Sequence, residues 1–473
     1  MTDSPVWAAV KDGVCCLLGF GVSNAQLADI LLAHGAAQVR VFDKKSPEQL
    51  GERALSLTAR GVEFHSGEKY LADLAGDVIF RSPGFRPDLP EIRTAVANGA
   101  ILTSEMELFL ATTKARVVGI TGSDGKTTTT TLTKLLLEEA VRERGYGKVY
   151  VGGNIGASLL PYVQEMTADD FAVVELSSFQ LMTVATPLPV SAVTNLSPNH
   201  LDWHTGMDEY VAAKRHIFEG AGAERLVTNR DCALTYDMVQ GITVPLTLFS
   251  SKLHDYESIM QGKQGRAVFV RDGSIVCADG KTEQEMLAVH EILLPGMHNV
   301  ENYMTAIGLT QEYITPEIAR RVACSFGGVE HRMQLVREKD GVRYYNSSID
   351  STPTRTAAAL SGIPEKCAWV ICGGYDKHIP FAPLAKVLRE RARGVVLTGA
   401  TANQIQAALD ACTEGNPDLP VYRENDFADA VRCAAAHAKE GEMVLLSPAC
   451  ASFDAFDNFA NRGRTFIEIV NQL

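Results

Sequence analysis

The sequence predicts an α/β protein of three domains, each built on a mainly parallel sheet. Apolar runs alternate with amphipathic helical stretches along most of the chain, the order that makes parallel βαβ units. Glycine-rich turns stand where two of the apolar runs hand over to helices, at Gly19-x-Gly21 and between Gly119 and Gly125. The 473 residues, 46% hydrophobic and 21% charged, have ordinary globular composition and are too many for a single core.

The first domain, residues 1–113, opens with VCCLLGFGVSNAQLADILLAHGAAQVRVFD. This reads as strand, glycine turn, helix and a second strand ending at Asp43, a Rossmann-like unit. Apolar runs at 77–80 and 100–102 extend the sheet, with Ser82-Pro83-Gly84 turning the chain after the first, and the domain closes near 111–114. The turn lacks the third glycine of a dinucleotide fingerprint, because Asn24 stands there, although Asp43 lies at a suitable distance. A nicotinamide site and a turn demanded by tight helix–strand packing both remain open from this segment alone.

The central domain, residues 114–328, begins with RVVGITGSDGKTTTTTL, in which a buried-type strand passes through glycines into Lys126, Thr127 and a helix. Backbone N–H groups at a helix start cradle phosphate, a lysine neutralises it, and a threonine hydroxyl reaches Mg2+. The strict phosphate-loop pattern needs glycine at position 120, which is Ile120, so this is a variant of it. A glycine turn that only caps a helix is the competing reading. Further strands fall at 171–176, 190–196 and 226–229, making a P-loop ATPase-type parallel sheet. Short alternating segments at 246–290 read as a small β-rich appendage, followed by a helix after Pro295. The last domain, residues 329–473, supplies strands at 368–372, 394–397 and 443–446 between helical patterns, again Rossmann-like.

The formal net charge of -13, with no long basic run, argues against a nucleic-acid or anionic-membrane partner. Ten scattered cysteines without a C-x-x-C pair read as reduced thiols. No basic-then-apolar leader and no apolar stretch of membrane-spanning length occurs, so a cytoplasmic protein is expected, and a monomer.

Downstream of the phosphate loop, Glu175 ends the strand FAVVEL, where a carboxylate faces the loop and suits Mg2+ or a buried ion pair. The next strand delivers His200 and Asp202 to the same edge, and the helix EYVAAKRHIF carries Lys214 with Tyr210 and Phe218 at i, i+4 spacing. Lys214 reads either as a snorkelling surface lysine or, if desolvated, as an amine of lowered pKa able to react.

Four runs together resemble the Mur ligases of bacterial peptidoglycan synthesis: GITGSDGKTTTTTL, GGNIG with ELSSFQL, NLSPNHLDWHTGMDEYVAAK, and SPACASFDAFDNFANRGRTF. The resemblance covers nearly the whole chain in order. The ELSSFQL and SPACASFDAFDNF runs are nearest the member that adds D-glutamate to UDP-N-acetylmuramoyl-L-alanine. That implies an ATP-activated carboxylate, an acyl phosphate, and attack by the D-glutamate amine through a tetrahedral intermediate to give amide, ADP and phosphate. By motif match, Gly122, Ser123, Asp124, Gly125, Lys126, Thr127 and Thr128 hold the ATP phosphates. Asn299, Asn302, His331 and Arg332 match positions around the nucleotide, where Asp350 is expected to join them. Thr127 and Glu175 hold one Mg2+, while His200 and Lys214, the latter as a carbamate formed with CO2, serve a second. Gly21, Val22, Ser23, Asp43, Lys44, Ser82, Pro83 and Gly84 take the UDP moiety, and Asn154 and His200 face the acyl end. Lys377, Ser351, Ser452 and Phe459 take the amino acid. Catalysis would fall to Lys126, Glu175, His200 and Lys214.

Two departures stand out. Where well-known members read N-D-S-K-A-T-N, this chain has Asn346-Ser347-Ser348-Ile349-Asp350-Ser351-Thr352, so Asp350 is expected to take over a missing acid, and Lys377 or Arg355 a missing lysine. Asp124 replaces a usual asparagine in the loop. A nicotinamide oxidoreductase, a non-catalytic ATP-binding subunit and a sibling ligase for another amino acid are the rival readings.

Overall fold

The computed structural model describes residues 5–201 and 203–473; Asp202, expected beside His200, lies outside them. Among the described residues the strands form three sheets. The first holds β1 (Val14–Leu18), β2 (Gln38–Phe42), β3 (Glu63–His65), β4 (Val78–Arg81) and β5 (Ile101–Thr103), in the order β3-β2-β1-β4-β5, all parallel. This is the Rossmann-like arrangement, with its crevice at the carboxyl ends of β1 and β4 where strand order reverses.

The second sheet holds β6 (Arg116–Thr121), β7 (Val149–Gly153), β8 (Phe171–Glu175), β9 (Val190–Val193), β10 (Arg225–Asn229), β11 (Leu246–Ser250), β12 (Gly265–Arg271), β13 (Ser274–Ala278) and β14 (Glu283–Ala288). Its order is β14-β13-β12-β11-β10-β9-β6-β8-β7. The run from β7 to β12 is parallel, and β13 and β14 are added antiparallel. The β-rich stretch expected after residue 246 is therefore the continuing edge of the central sheet, because β11 and β12 pair parallel before the chain turns back in hairpins. Position 120, which broke the loop pattern, lies inside β6: Ile120 is fully buried and in register with Glu175 and Ala192. A strand covered on both faces takes an apolar residue there, so the loop proper starts two residues later.

The third sheet holds β15 (Gln334–Lys339), β16 (Val342–Asn346), β17 (Ala368–Cys372), β18 (Gly394–Leu397), β19 (Val421–Arg423) and β20 (Met443–Leu446), ordered β15-β16-β20-β17-β18-β19. It is parallel except for the β15–β16 hairpin.

Contacts divide the chain into two compact units, Met1–Glu291 with Val300–Val322, and Ile292–Asn299 with Ala323–Leu473. The first unit contains two sheets because one apolar cluster runs through both, from Leu27, Leu31 and Phe109 to Leu160, Leu181 and Tyr210. Burial of that shared surface joins the first two sequence-read domains. Among the described residues no helix is long and apolar enough to cross a membrane, and all ten cysteines are free.

Candidate active site

The phosphate loop is shaped by two glycines that no other residue could replace. Gly122 has φ 147°, and a Cβ there would lie 1.9 Å from Thr194 Oγ1. Gly125, in the left-handed region at φ 77°, caps the helix Lys126–Arg144, and its Cβ would lie 2.4 Å from Asn302 Oδ1. Around them the loop is pinned from the end of β9. Ser123 N–H donates to Asn195 O at 2.9 Å, Asp124 N–H donates to Asn195 Oδ1 at 2.9 Å, and Thr194 Oγ1 donates to Asp124 O at 2.6 Å. The Ser123 and Tyr210 hydroxyls are 2.8 Å apart, and Ser197 N–H donates to Ser123 Oγ at 2.9 Å. The Asp124 side chain is thus left exposed while its backbone is held. The first helical turn, with Thr127 and Thr128, offers its N–H groups and dipole to an anion. Lys126 Nζ folds over the loop, donating to Gly122 O at 3.0 Å and Ser123 O at 2.8 Å.

At the ends of β7 and β8 the predicted partners meet. Thr127 Oγ1 donates to Glu175 Oε2 at 2.8 Å, and Asn154 Nδ2 donates to Glu175 Oε1 at 2.8 Å. Asn154 N–H also donates to Glu175 O at 2.7 Å, which fixes the amide beside the carboxylate. Glu175 is 1% exposed, so its carboxylate is held by a hydroxyl and an amide. A hydroxyl and a carboxylate oxygen at this separation suit a hard cation such as Mg2+. Among the described residues no group of three or more His, Cys, Asp or Glu side chains forms a self-contained metal cage.

Lys214 is 1% exposed, on the helix Met207–Arg215. Its Nζ donates to Thr121 Oγ1 at 3.1 Å and Gly122 O at 2.9 Å, and stands 4.7 Å from the centre of the Tyr210 ring. Burial, then the neighbouring Lys126 charge, push its amine well below the usual lysine range. Of the two sequence readings, the desolvated amine is the one realised. The helix ends at Arg215, so Phe218 reaches the same buried region from beyond the helix.

His200 is exposed, at φ 56°, with its ring 4.9 Å from Phe179. The histidine that sequence reasoning passed over is His204. It is buried, with Nε2 2.9 Å from Ser178 Oγ, Nδ1 3.2 Å from Glu209 Oε2, and its ring stacked on Phe179. Burial lowers its pKa.

In the first sheet's crevice Asn24 explains the missing third glycine. Its buried amide donates to Leu18 O at 3.1 Å, Gly19 O at 2.9 Å and Ser82 Oγ at 3.0 Å, tying the two turns together. Asp43 Oδ2 accepts from Phe20 N–H at 2.8 Å and Oδ1 from Lys45 N–H at 2.9 Å, so this acid shapes the turn as well as facing the crevice. Gly21, Val22, Ser23, Lys44, Pro83 and Gly84 are exposed around it, Val22 at 75%.

In the second unit the predicted residues gather at the carboxyl ends of β16, β17 and β20. Lys377 Nζ donates to Ser351 Oγ at 3.2 Å, and Tyr375 N–H donates to Ala451 O at 2.9 Å, beside Ser452. Asp350 is buried and accepts from Ser447 Oγ at 2.9 Å. Burial raises its pKa, while hydrogen bonds from Ser347 and Ser447 and the charges of Arg355 and Arg332 oppose the rise. His331 is buried against Asn346, with Nδ1 2.9 Å from the amide nitrogen, and its ring meets Phe459 edge-on. Asn299 Nδ2 donates to Pro295 O at 2.7 Å, and Arg332 is exposed. Asn302 is the predicted nucleotide residue that the fold sets against the phosphate loop.

The residue missed here is Arg462, 2% exposed. Its guanidinium donates to Ser348 Oγ at 3.0 Å, Ser348 O at 2.9 Å, Ala451 O at 3.0 Å and Cys450 O at 3.1 Å. It thereby holds the NSSIDST and SPACASF loops together, and Ser348 Oγ passes the contact on to Phe459 O at 2.8 Å. An arginine spaced to face inward from the helix Phe459–Gln472 was the available signal.

The Mur ligase middle domain family matches residues 120–310, and the Mur ligase glutamate ligase domain family matches residues 331–450. The UDP-N-acetylmuramoylalanine--D-glutamate ligase of Clostridium novyi (strain NT) is 46% identical over 468 residues, covering 98% of each chain. Among solved structures, a UDP-N-acetylmuramoyl-L-alanyl-D-glutamate--2,6-diaminopimelate ligase aligns with a TM-score of 0.56 at 17% identity, over 97% of this chain and 92% of its own. The MurF ligase of Thermotoga maritima, solved in complex with ADP, aligns at 0.50 and 16% identity over 98% and 96%. These two share the fold.

Proposed function

This chain belongs to the Mur ligase family, and we propose that it joins D-glutamate to UDP-N-acetylmuramoyl-L-alanine with conversion of ATP to ADP and phosphate, in peptidoglycan precursor synthesis. The observation that carries the reading is the line of polar groups from Lys126 through Thr127 and Glu175 to Asn154, assembled on one sheet edge beside the desolvated Lys214. Its D-glutamate specificity rests on the likeness to the Clostridium novyi ligase over nearly the full chain.

In this reading residues 1–113 bind the UDP moiety, residues 114–328 the ATP, and residues 329–473 the amino acid. Lys126 and the N–H groups of the first helical turn neutralise the phosphoryl group as it passes to the substrate carboxylate. Thr127 and Glu175 would hold Mg2+, which supplies charge neutralisation to the phosphates. Asn154 faces the acyl end, next to the carboxylate it already binds. The incoming amine, in its neutral form, forms the C–N bond at the acyl carbon and gives up one proton to solvent or to the departing phosphate, while the C–O bond to phosphate breaks and phosphate leaves with the electron pair. Lys377 takes a carboxylate of the amino acid, leaving its neutral Ser351 partner. Lys214 in its neutral form has the lone pair needed to add CO2, losing a proton to become an anionic carbamate, and with His200 it would serve a second cation. Asp350 stands in for the acid absent from its familiar place. A cytoplasmic monomer completes the proposal.

Phosphate release by the purified protein with ATP, Mg2+ and UDP-N-acetylmuramoyl-L-alanine tests it, comparing D-glutamate with L-glutamate, L-lysine and diaminopimelate. Release only with D-glutamate is expected. Release with diaminopimelate or L-lysine in its place assigns a sibling reaction, and release independent of any amino acid overturns the ligase reading.

A further inference from the structure

Two arginines bracket the Ser82-Pro83-Gly84 turn, and both reach out of the first sheet's layer into the central one. Arg81, 2% exposed, donates from Nη1 to Phe85 O at 2.7 Å and from Nη2 to Phe179 O at 2.7 Å and Thr183 Oγ1 at 3.2 Å. Arg86 uses its whole fork. Nε and Nη2 each donate to the Asp88 carboxylate at 2.9 Å. Nη2 and Nη1 donate to Glu209 Oε1 and Oε2 at 2.8 and 3.2 Å, and Nη1 donates to Trp203 O at 2.7 Å. The guanidinium also lies 5.0 Å from the centre of the Trp203 ring.

Glu209 is more than the arginine's counter-ion. It sits in the first turn of the helix that carries Lys214, and it accepts from Thr205 N–H at 2.9 Å and faces His204 Nδ1 at 3.2 Å. His204 passes the connection to Ser178 and Phe179 on the segment after Glu175. One carboxylate therefore gathers the turn of the first sheet, the loop of His200 and the start of the Lys214 helix. A two-point Arg–carboxylate contact fixes orientation as well as distance, which a single contact would leave free.

We propose that Arg86 and Glu209 are a positioning pair, locking the Ser82-Pro83-Gly84 turn to the Lys214 helix so that the substrate's nucleotide end and its reacting end are held in one register. This rests on the ligase reading above. The pair touches no reacting atom. Its loss lets the two ends drift, and misplacement on the order of 1 Å costs about a hundredfold in rate. The groups proposed to bind UDP are untouched, so ground-state affinity is kept.

Steady-state kinetics of Arg86→Met, Glu209→Gln and the double variant, each assayed well below its melting temperature, test the pair. The expected result is kcat lowered about 10- to 100-fold with the KM for UDP-N-acetylmuramoyl-L-alanine changed less than about threefold. The double variant should be no slower than the slower single one. Arg86→Lys, which keeps the charge and loses the fork, should recover only part of the rate. A kcat within about twofold of the parent, whatever the melting temperature does, overturns the proposal, as do additive losses. If Arg86→Met fails to fold, Glu209→Gln, which keeps the shape of the side chain, decides alone. Absence of D-glutamate-dependent turnover in the parent protein counts against the ligase reading, whereas an active parent with unaffected variants counts against the pair.

Discussion

In each compact unit a buried basic side chain lies at the carboxyl edge of a sheet among neutral oxygens. Lys214 rests on Thr121 Oγ1 and Gly122 O, and Arg462 on Ser348, Cys450 and Ala451. The environments are alike, but the outcomes differ because the two groups differ in what burial does to them. Burial pushes the lysine amine well below its usual range, towards the neutral form with its lone pair; a guanidinium, even pushed down to about 10, keeps its proton and its five donors. The same desolvation favours a neutral amine in the first unit and leaves a charged, many-donor clamp in the second. Lys377, proposed above to take the amino acid, is by contrast exposed.

The largest effect that sharpens this contrast is at Lys214. Lys214→Ala should lower turnover by about a thousandfold or more, with short carboxylic acids partly restoring it, and Lys214→Arg should not rescue, since it cannot deprotonate. Unaltered turnover in the Ala variant would remove the amine from the reaction. For Arg462→Met the loss should appear as stability, about 3 kcal/mol in chemical denaturation, because buried carbonyls lose their donors. Nucleotide binding to the phosphate loop should survive at temperatures where the second unit stays folded. Restored stability in Arg462→Lys would break the comparison, by showing that charge alone suffices. Asp350→Ala should cost about tenfold in turnover or in the KM for ATP, and no change in either would show that this acid serves only Ser447. The smallest effect is on the pH profile. Hydrogen bonds from Arg86, the leading cause, hold the Glu209 carboxyl down to about 2 from an ordinary 4.5. A folded value below the unfolded one means that the stabilisation is present above about 4.5 and is lost as pH falls towards 2. Thermal melting of the parent should therefore fall more steeply over that window than melting of Glu209→Gln, and parallel curves would refute the assignment.

The phosphate loop was legible in the sequence because its requirements are local. Gly122, Gly125, Lys126 and Thr127 follow one another, and the strand and helix on either side show their own periodicities. That Glu175 faces the loop came from strand-end reasoning, whereas Asn154 was named only through the family resemblance. The Arg86–Glu209 pair was not legible, because its members lie 123 residues apart, and Arg462 was marked only by its helical spacing from Phe466 and Ile469, its partner Ser348 lying 114 residues away. Between His200 and His204 the residue type carried no signal; the backbone turn after β9 exposes one and the packing of Phe179 covers the other. The strand β7 escaped notice because VYVGG is short and only half-buried. The hairpins beyond residue 265 were visible as hairpins, but their attachment depends on β11 and β12 pairing side by side, which spacing alone does not specify.

The strand order of the central sheet also sets the timing of assembly. From β9 to β14 each strand pairs with the next in sequence, so this half can form as the chain is made. The strand β6 instead lies between β8 and β9, so both its edges are open until β8 has emerged, and the second is covered only once Val193 has emerged. Until then the nascent chain carries RVVGIT as an unsatisfied, strongly apolar template for wrong pairing. A nascent chain halted between residues 121 and 171 would hold this segment with neither edge paired, and a chaperone that engages the chain during synthesis should bind there.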